Sequence, residues 1–326
     1  IPRIDYTDGT ASILLEPQTT NLAPDSEDFS AWGKGSDLVL SNNFLAPDGT
    51  NTAYKVSRAG ASTPYLTDNL GLTATTTRSI YARTISGTGT ATLLSHNSNT
   101  NNTFTLTEQW QRFELNSTAS SSGLTTFYAA DFRGSGTLTE YLLWGANATN
   151  DQDYATSYIP TNGAIATRLA DSVTGAGDAT TFNSTEGVLY FEGKRLSLLG
   201  SKRTISISDG TLNNYLYMQF TGVSNTLRIF YKSVENGQVL ILNHNLTSAI
   251  EFGKYAFKWS ENNFSLWVNG VKELEQLSGS TTSSNVFNQA DFSLSNGADE
   301  FTGKIKSVIT FDTALTDAEL QCLTTI

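Results

Sequence analysis

One stretch limits the folds open to this chain more than any other: Tyr255–Gly270, YAFKWSENNFSLWVNG. Tyr255, Phe257 and Trp259 alternate with Ala256, Lys258 and Ser260. After Glu261-Asn262-Asn263, Phe264, Leu266 and Val268 alternate with Ser265 and Trp267. A period of two around an Asn-rich turn, closed by Asn269-Gly270, predicts a β-hairpin with one apolar face. Such a hairpin cannot bury that face alone, so it must form one wall of a sandwich. Downstream, Gly303–Leu323 reads as a last strand, a loop and one short helix. Thr316 and Glu319 supply the two halves of a capping box for that helix, which packs Leu320 and Leu323.

The rest of the chain has the same texture. Short strands are predicted over Arg78–Thr84, Thr90–Leu94, Trp110–Leu115, Thr125–Phe132 and Leu138–Ala146, with Gly/Ser/Asn clusters between them. Pro47-Asp48-Gly49 is a turn in which proline presets one dihedral and glycine supplies another. No helix longer than a turn or two is expected before residue 314. The fold class is therefore all-β: two tandem antiparallel β-sandwiches of jelly-roll type with one short C-terminal helix. At 326 residues the chain has material for about two cores. Residues 1–24 hold Pro2, Pro17 and Pro24 around the single apolar run Ile13–Leu15, which predicts an extended strap. A first sandwich is expected over 25–172, a Gly/Ala/Thr-rich linker over 173–185, and a second sandwich over 186–326.

Composition excludes several functions. A net charge of −11 and a pI near 4.6 oppose contact with nucleic acid or with an anionic membrane. No apolar run approaches the ~20 residues of a spanning helix. Cys322 is the only cysteine, so no disulfide forms within the chain. The Asn-x-Ser/Thr triplets at Asn101, Asn116, Asn147, Asn183, Asn245 and Asn263 are what an Asn/Thr-rich chain produces by chance.

Two passages resemble known families. "SLWVNG" together with "GKIKSVITFDTALTDAEL", within residues 186–326, is similar to the laminin-G-like, concanavalin-like sandwich. In residues 1–171, "PRIDY", "LLEPQ", "TNL" and "SEDFS-x-W" are followed by "APDGT", "WQRF", "WGA" and "YATSYIPT". That series resembles the carbohydrate-binding-module-like jelly roll of phage tail and head-fibre proteins. The resemblance implies a virion protein, extracellular, that partners with other virion proteins and with a host-surface glycan and works as a homotrimer. It also implies that Ile1 is an internal start. A secreted or bacterial-surface location is the alternative.

Catalytic signatures are sparse. His96 and His244 are the two histidines, both in Asn-rich segments of different halves. Concanavalin-like glycosidases carry Glu-x-Asp-x-x-Glu on one strand so that acid and nucleophile share a face. No Glu here is followed by Asp two positions on, and Glu273 and Glu275 read as solvated. Arg228, Tyr231 and His244 imitate a lyase set without its motif words. No catalytic residue, cofactor or metal ligand is assigned. Jelly-roll modules often hold a structural Ca²⁺, and Asp25, Glu27 and Asp28 lie where a first-strand ligand would be. The last strand, YLLWGAN, lacks the paired acids that complete such a site.

Sugar rings stack on flat aromatic faces. Trp110, Trp144 and Trp259 read as core. Tyr215, Tyr217 and Trp267 alternate away from the buried set and are expected on outer sheet faces, with Trp32 as the counterpart in the first half. These four are the candidate carbohydrate-binding residues. Three functions follow in order: a non-enzymatic adhesion protein of a virion, a structural joining module without sugar binding, and a polysaccharide lyase or hydrolase.

Overall fold

A computed structural model describes residues 3–72, 76–95, 102–117, 126–150, 152–200, 202–222 and 224–326. It is almost entirely β. Antiparallel sheets form sandwich-like domains, and one α-helix, Asp317–Thr324, lies near the C-terminus. Among the described residues the only other helical element is a 3₁₀ turn, Phe29–Ala31.

The chain divides into two compact units, residues 18–169 and residues 1–17 with 170–326. We call them the N-terminal and C-terminal sandwiches. The segment set apart in the sequence as a strap over 1–24 is thus shared between the two. Arg3–Asp5 and Ser12–Leu15 form a hairpin, and Ser12–Leu15 pairs with Gly303–Phe311 as the last strands of a seven-stranded sheet. Thr19–Asn21 pairs instead with Ala166–Arg168. Prolines and short apolar runs hid these strands, because a three-residue strand at a sheet edge leaves almost no periodic trace.

In the C-terminal sandwich the organising hairpin is present as read. Gly253–Trp259 pairs with Phe264–Val268, with Tyr255 opposite Val268 and Phe257 opposite Leu266. The turn to Val271–Gln276 uses Asn269 and Gly270 at φ of 49° and 85°, the double positive φ that a type I′ hairpin turn demands. Tyr255, Phe257, Trp259, Phe264, Leu266 and Val268 all enter one core. The facing five-stranded sheet, running from Gln238–Asn245 to Gln289–Asp291, supplies Ile207, Leu216, Met218 and Tyr231 to it. On the far side of the seven-stranded sheet, the helix lays Leu320 over Val188, Tyr190, Ala256 and Trp267. Its capping box forms as the sequence predicts, Thr316 and Glu319 bonding each other's backbone amides.

The N-terminal sandwich sets a five-stranded sheet (Gln111–Ser117, Thr76–Arg83, Glu140–Asn150, Ala53–Arg58, Leu38–Phe44) against a three-stranded one. Phe29, Val56, Leu66, Ile80, Phe127 and Leu143 fill the space between. The long strand Glu140–Asn150 bulges between Trp144 and Asn147. Gly145 takes φ of 66° there, and a β-carbon on it would lie 3.2 Å from the Tyr81 ring. The bulge turns Trp144 outward onto Tyr81 and Tyr158, at ring-centroid distances of 5.4 and 4.8 Å.

Candidate functional site

The four aromatic candidates do not form one platform. Trp32 is 4% exposed, packed edge-on against Phe29 and Phe127, and its indole N–H donates to the Asp25 carbonyl at 2.9 Å. Trp267 does lie opposite the Phe264/Leu266/Val268 set, but the terminal helix covers that face and leaves it 5% exposed. This corrects the expectation of an outward ring: a sheet face is outer only until another element packs on it. Tyr215 and Tyr217 do lie on the outer face of their sheet, away from Leu216 and Met218. There Tyr217 stacks on Phe230 (4.8 Å, 4° between planes) and Tyr215 on the same ring (5.0 Å). Tyr217 is 7% exposed in that ladder, and only Tyr215 keeps a half-open side chain. Burial raises the pKa of both phenols.

The remaining chemical candidates are dispersed. His96 lies outside the described residues. Arg228 faces outward to the Asn243 side-chain oxygen at 2.9 Å, whereas Tyr231 is fully buried between the sheets, so no lyase-like set assembles. Glu273 approaches His244 at 3.5 Å and Glu275 pairs with Lys272 at 2.6 Å. Among the described residues no group of three or more His, Cys, Asp or Glu side chains is placed to hold a metal ion.

A polar cleft is found instead in the N-terminal sandwich, with a volume of about 460 Å³. Glu27, Asp28, Asn42, Asn51, Tyr54 and Asn162 supply most of its polar lining, and none of its lining residues is basic. Two of the asparagines are placed by local irregularities. Asn42 sits in the strand Leu38–Phe44 where the register shifts between Ser41 and Phe44, beside Asn43 at φ of 72°. Asn51 follows the turn at Pro47-Asp48-Gly49, in which Asp48 accepts from the Thr50 amide at 2.9 Å and hydroxyl at 2.7 Å. The Trp144 indole N–H holds Thr52 at 2.9 Å.

The two carboxylates are fixed by different donors. Asp28 caps the 3₁₀ turn, accepting from the Ser30 amide (3.0 Å) and hydroxyl (2.6 Å) and from the Tyr54 hydroxyl (2.7 Å). Those side-chain bonds from Ser30 and Tyr54 hold its pKa below the usual carboxylate value. Tyr54 shifts upward, through burial and then through Asp28. Glu27 accepts from the Tyr158 hydroxyl at 2.9 Å, and burial pushes that phenol up as well. Asp25 accepts from the Gly163 amide at 2.9 Å, so the three acids singled out in the sequence face separate partners. The result is a cleft with carboxylate, amide and hydroxyl groups at its surface and no basic residue in its lining. Its chemistry is that of hydrogen bonding to a ligand rich in hydroxyls. In the sequence only Glu27 and Asp28 had drawn notice; the asparagines carry no motif, and their one signal was proximity to turn residues.

No family model matches the chain, and no curated protein matches it. Solved structures resemble it at low sequence identity. The Ruminococcus gnavus IT-sialidase CBM40 aligns at a TM-score of 0.40 and 14% identity, over 48% of this chain and 97% of that one. Domain 4 of a GH43 extracellular arabinanase from Geobacillus stearothermophilus, in complex with arabinotriose, aligns at 0.38 and 14%, over 54% and 84%. A heptameric SAP-like pentraxin from Limulus polyphemus aligns at 0.36 and 10%, over 45% and 72%.

Proposed function

We propose that the chain is a non-enzymatic glycan-binding protein whose ligand sits in the cleft of the N-terminal sandwich. The observation that carries this is the lining itself: two carboxylates, three asparagine amides and a tyrosine hydroxyl around about 460 Å³, with no basic residue. Pockets of that size accept one or a few sugar units. An acidic lining in a protein of net charge −11 disfavours sulfated and uronic polymers, and Asp28 and Glu27 are already held by Ser30, Tyr54 and Tyr158 rather than left open to a cation, so the ligand is taken to be a neutral polyol. The finer reading, supported by the sequence words of residues 1–171, is host-surface attachment. The chain would act in a phage tail or head fibre, beside other virion proteins, as a trimer on the particle surface. Weak contacts, on the order of millimolar each, become useful there through many copies.

A second reading is a joining or decorating module that binds no sugar. The burial of Trp32, Trp267 and Tyr217 favours it, since three of the four expected stacking rings serve packing. A glycan array probed with the full chain separates the two. The first reading expects neutral oligosaccharides to be retained above sulfated and uronic ones. A blank array supports the second, and preferential capture of acidic glycans defeats the cleft as the site.

A further inference from the structure

At one side of the C-terminal sandwich two edge strands approach each other. Gln238–Asn245 ends the five-stranded sheet and Val271–Gln276 ends the seven-stranded one. Beside them opens a second cavity of about 320 Å³. Its polar lining includes His244, Ser248, Glu251, Tyr255, Asn269 and Glu273, over an apolar base that includes Leu246 and Val268. Again no lysine or arginine lines it.

Tyr255 is the telling residue. Its ring is clamped between Phe191 and Phe220, at centroid distances of 5.8 and 5.7 Å, and the side chain is 1% exposed. Its hydroxyl has no hydrogen-bond partner among the described residues. A β-carbon on Gly253 would fall 2.3 Å from that oxygen, so a glycine is what leaves the hydroxyl its place. The hydroxyl is not sealed off but opens onto the cavity, where a bound hydroxyl group can take the place of water as its partner. At the rim, Glu251 is exposed and Glu273 meets the half-buried His244 at 3.5 Å. Two carboxylates facing a cavity without a resident lysine or arginine suit a ligand cation.

We propose that this cavity is a second binding site, for a single amino-sugar unit. Its ring hydroxyls bond Tyr255, Ser248 and Asn269, and its ammonium lies between Glu251 and Glu273, taking over His244's contact. The site is independent of the cleft in the N-terminal sandwich, and it would make each chain bivalent with two different sugar preferences.

The chain has only two histidines, so His96→Gln leaves the His244 imidazole as a single NMR reporter beside the cavity. The full chain carrying this change and ¹³C-labelled histidine is titrated at fixed pH and ionic strength. The titrants are glucosamine, methyl glucoside, ethanolamine and glucuronate. A saturable shift of the His244 signal with glucosamine alone is expected. Tyr255→Phe and Glu251→Gln should each raise its midpoint about tenfold, the size of one lost hydrogen bond to a charged or buried group. Asn42→Ala/Asn51→Ala should leave it unchanged. Absence of a saturable shift overturns the site. An equal response to methyl glucoside or to ethanolamine overturns the ligand class. A midpoint indifferent to Tyr255→Phe and Glu251→Gln, or moved by the Asn42/Asn51 pair, overturns the location.

Discussion

At the scale of single residues, burial decides what the aromatics do. Trp267 is enclosed by Val188, Tyr190, Ala256 and Leu320. Trp267→Ala should therefore cost about 3–5 kcal/mol in urea denaturation, as truncations of large core side chains do. A loss under 1 kcal/mol would mean that the helix does not seal this face. Tyr54→Phe removes the hydroxyl that holds Asp28 in the cleft and little else. It should reduce stability by about 1–2 kcal/mol. The same bond gives a pH signature. A carboxyl held below its unfolded pKa contributes stability fully above about pH 4, lost as pH falls through the folded value. The difference between wild type and Tyr54→Phe should thus narrow on acidification below pH 4, and a gap that widens there would contradict the Asp28 assignment. How the sequence misled is also clearest here. The alternation that put Trp267 opposite Leu266 was correct, but alternation says which side of a sheet a residue takes and nothing about what else lies on that side. The cleft was harder to see. Asn42 is a strand asparagine and Asn51 and Asn162 are bend asparagines in a chain full of them, and Asn162 joins the other two from more than a hundred residues away.

At the scale of elements, the N-terminal hairpin is held by charge as much as by packing. Lys304 bonds Asp5 at 2.8 Å and Asp8 at 2.7 Å, Lys194 bonds Asp8 at 2.9 Å, and Arg3 joins Glu16 and Asp171. Burial works against the charge on Asp5 and Asp8, but the lysine bonds outweigh it, and both carboxyls sit below their ordinary pKa. Their contribution is complete above about pH 4 and disappears as pH falls through the lowered values. Protection factors for amide exchange across Arg3–Leu15 should fall on acidification before those in Gly187–Arg195 do; simultaneous loss of protection would show the hairpin is not the weaker element. At the other end of the chain, Thr316→Ala removes the helix cap and should cost about 1 kcal/mol. That cap was legible from four residues, because capping is local. The hairpin's destination was not, because Ile13 pairs with Ile305 across almost the whole chain.

At the scale of the whole molecule, the sequence reading and the structure agree on class: antiparallel sheets in sandwich-like domains with one terminal helix. Alternating residues and Gly/Asn turns sufficed for that. The organisation is less linear than the sequence suggests, since residues 1–17 belong with 170–326. We propose that 18–169 folds as an independent unit and that 170–326 without the first 17 residues is less stable than with them. Supplying 1–17 as a separate peptide should raise the melting temperature of 170–326, and no effect would remove the hairpin from the account. The proposed fibre role carries its own prediction, light scattering at three times the 35.2 kDa mass of the chain. The central claim is glycan recognition by the cleft, and a titration tests it most directly. The best neutral oligosaccharide from the array is titrated into the full chain and into Asn42→Ala/Asn51→Ala, with melting temperatures measured for both. The account predicts saturable binding by the wild type and binding at least about tenfold weaker by an equally stable variant, near the loss of one or two hydrogen bonds. Equal affinity in the two proteins would contradict it.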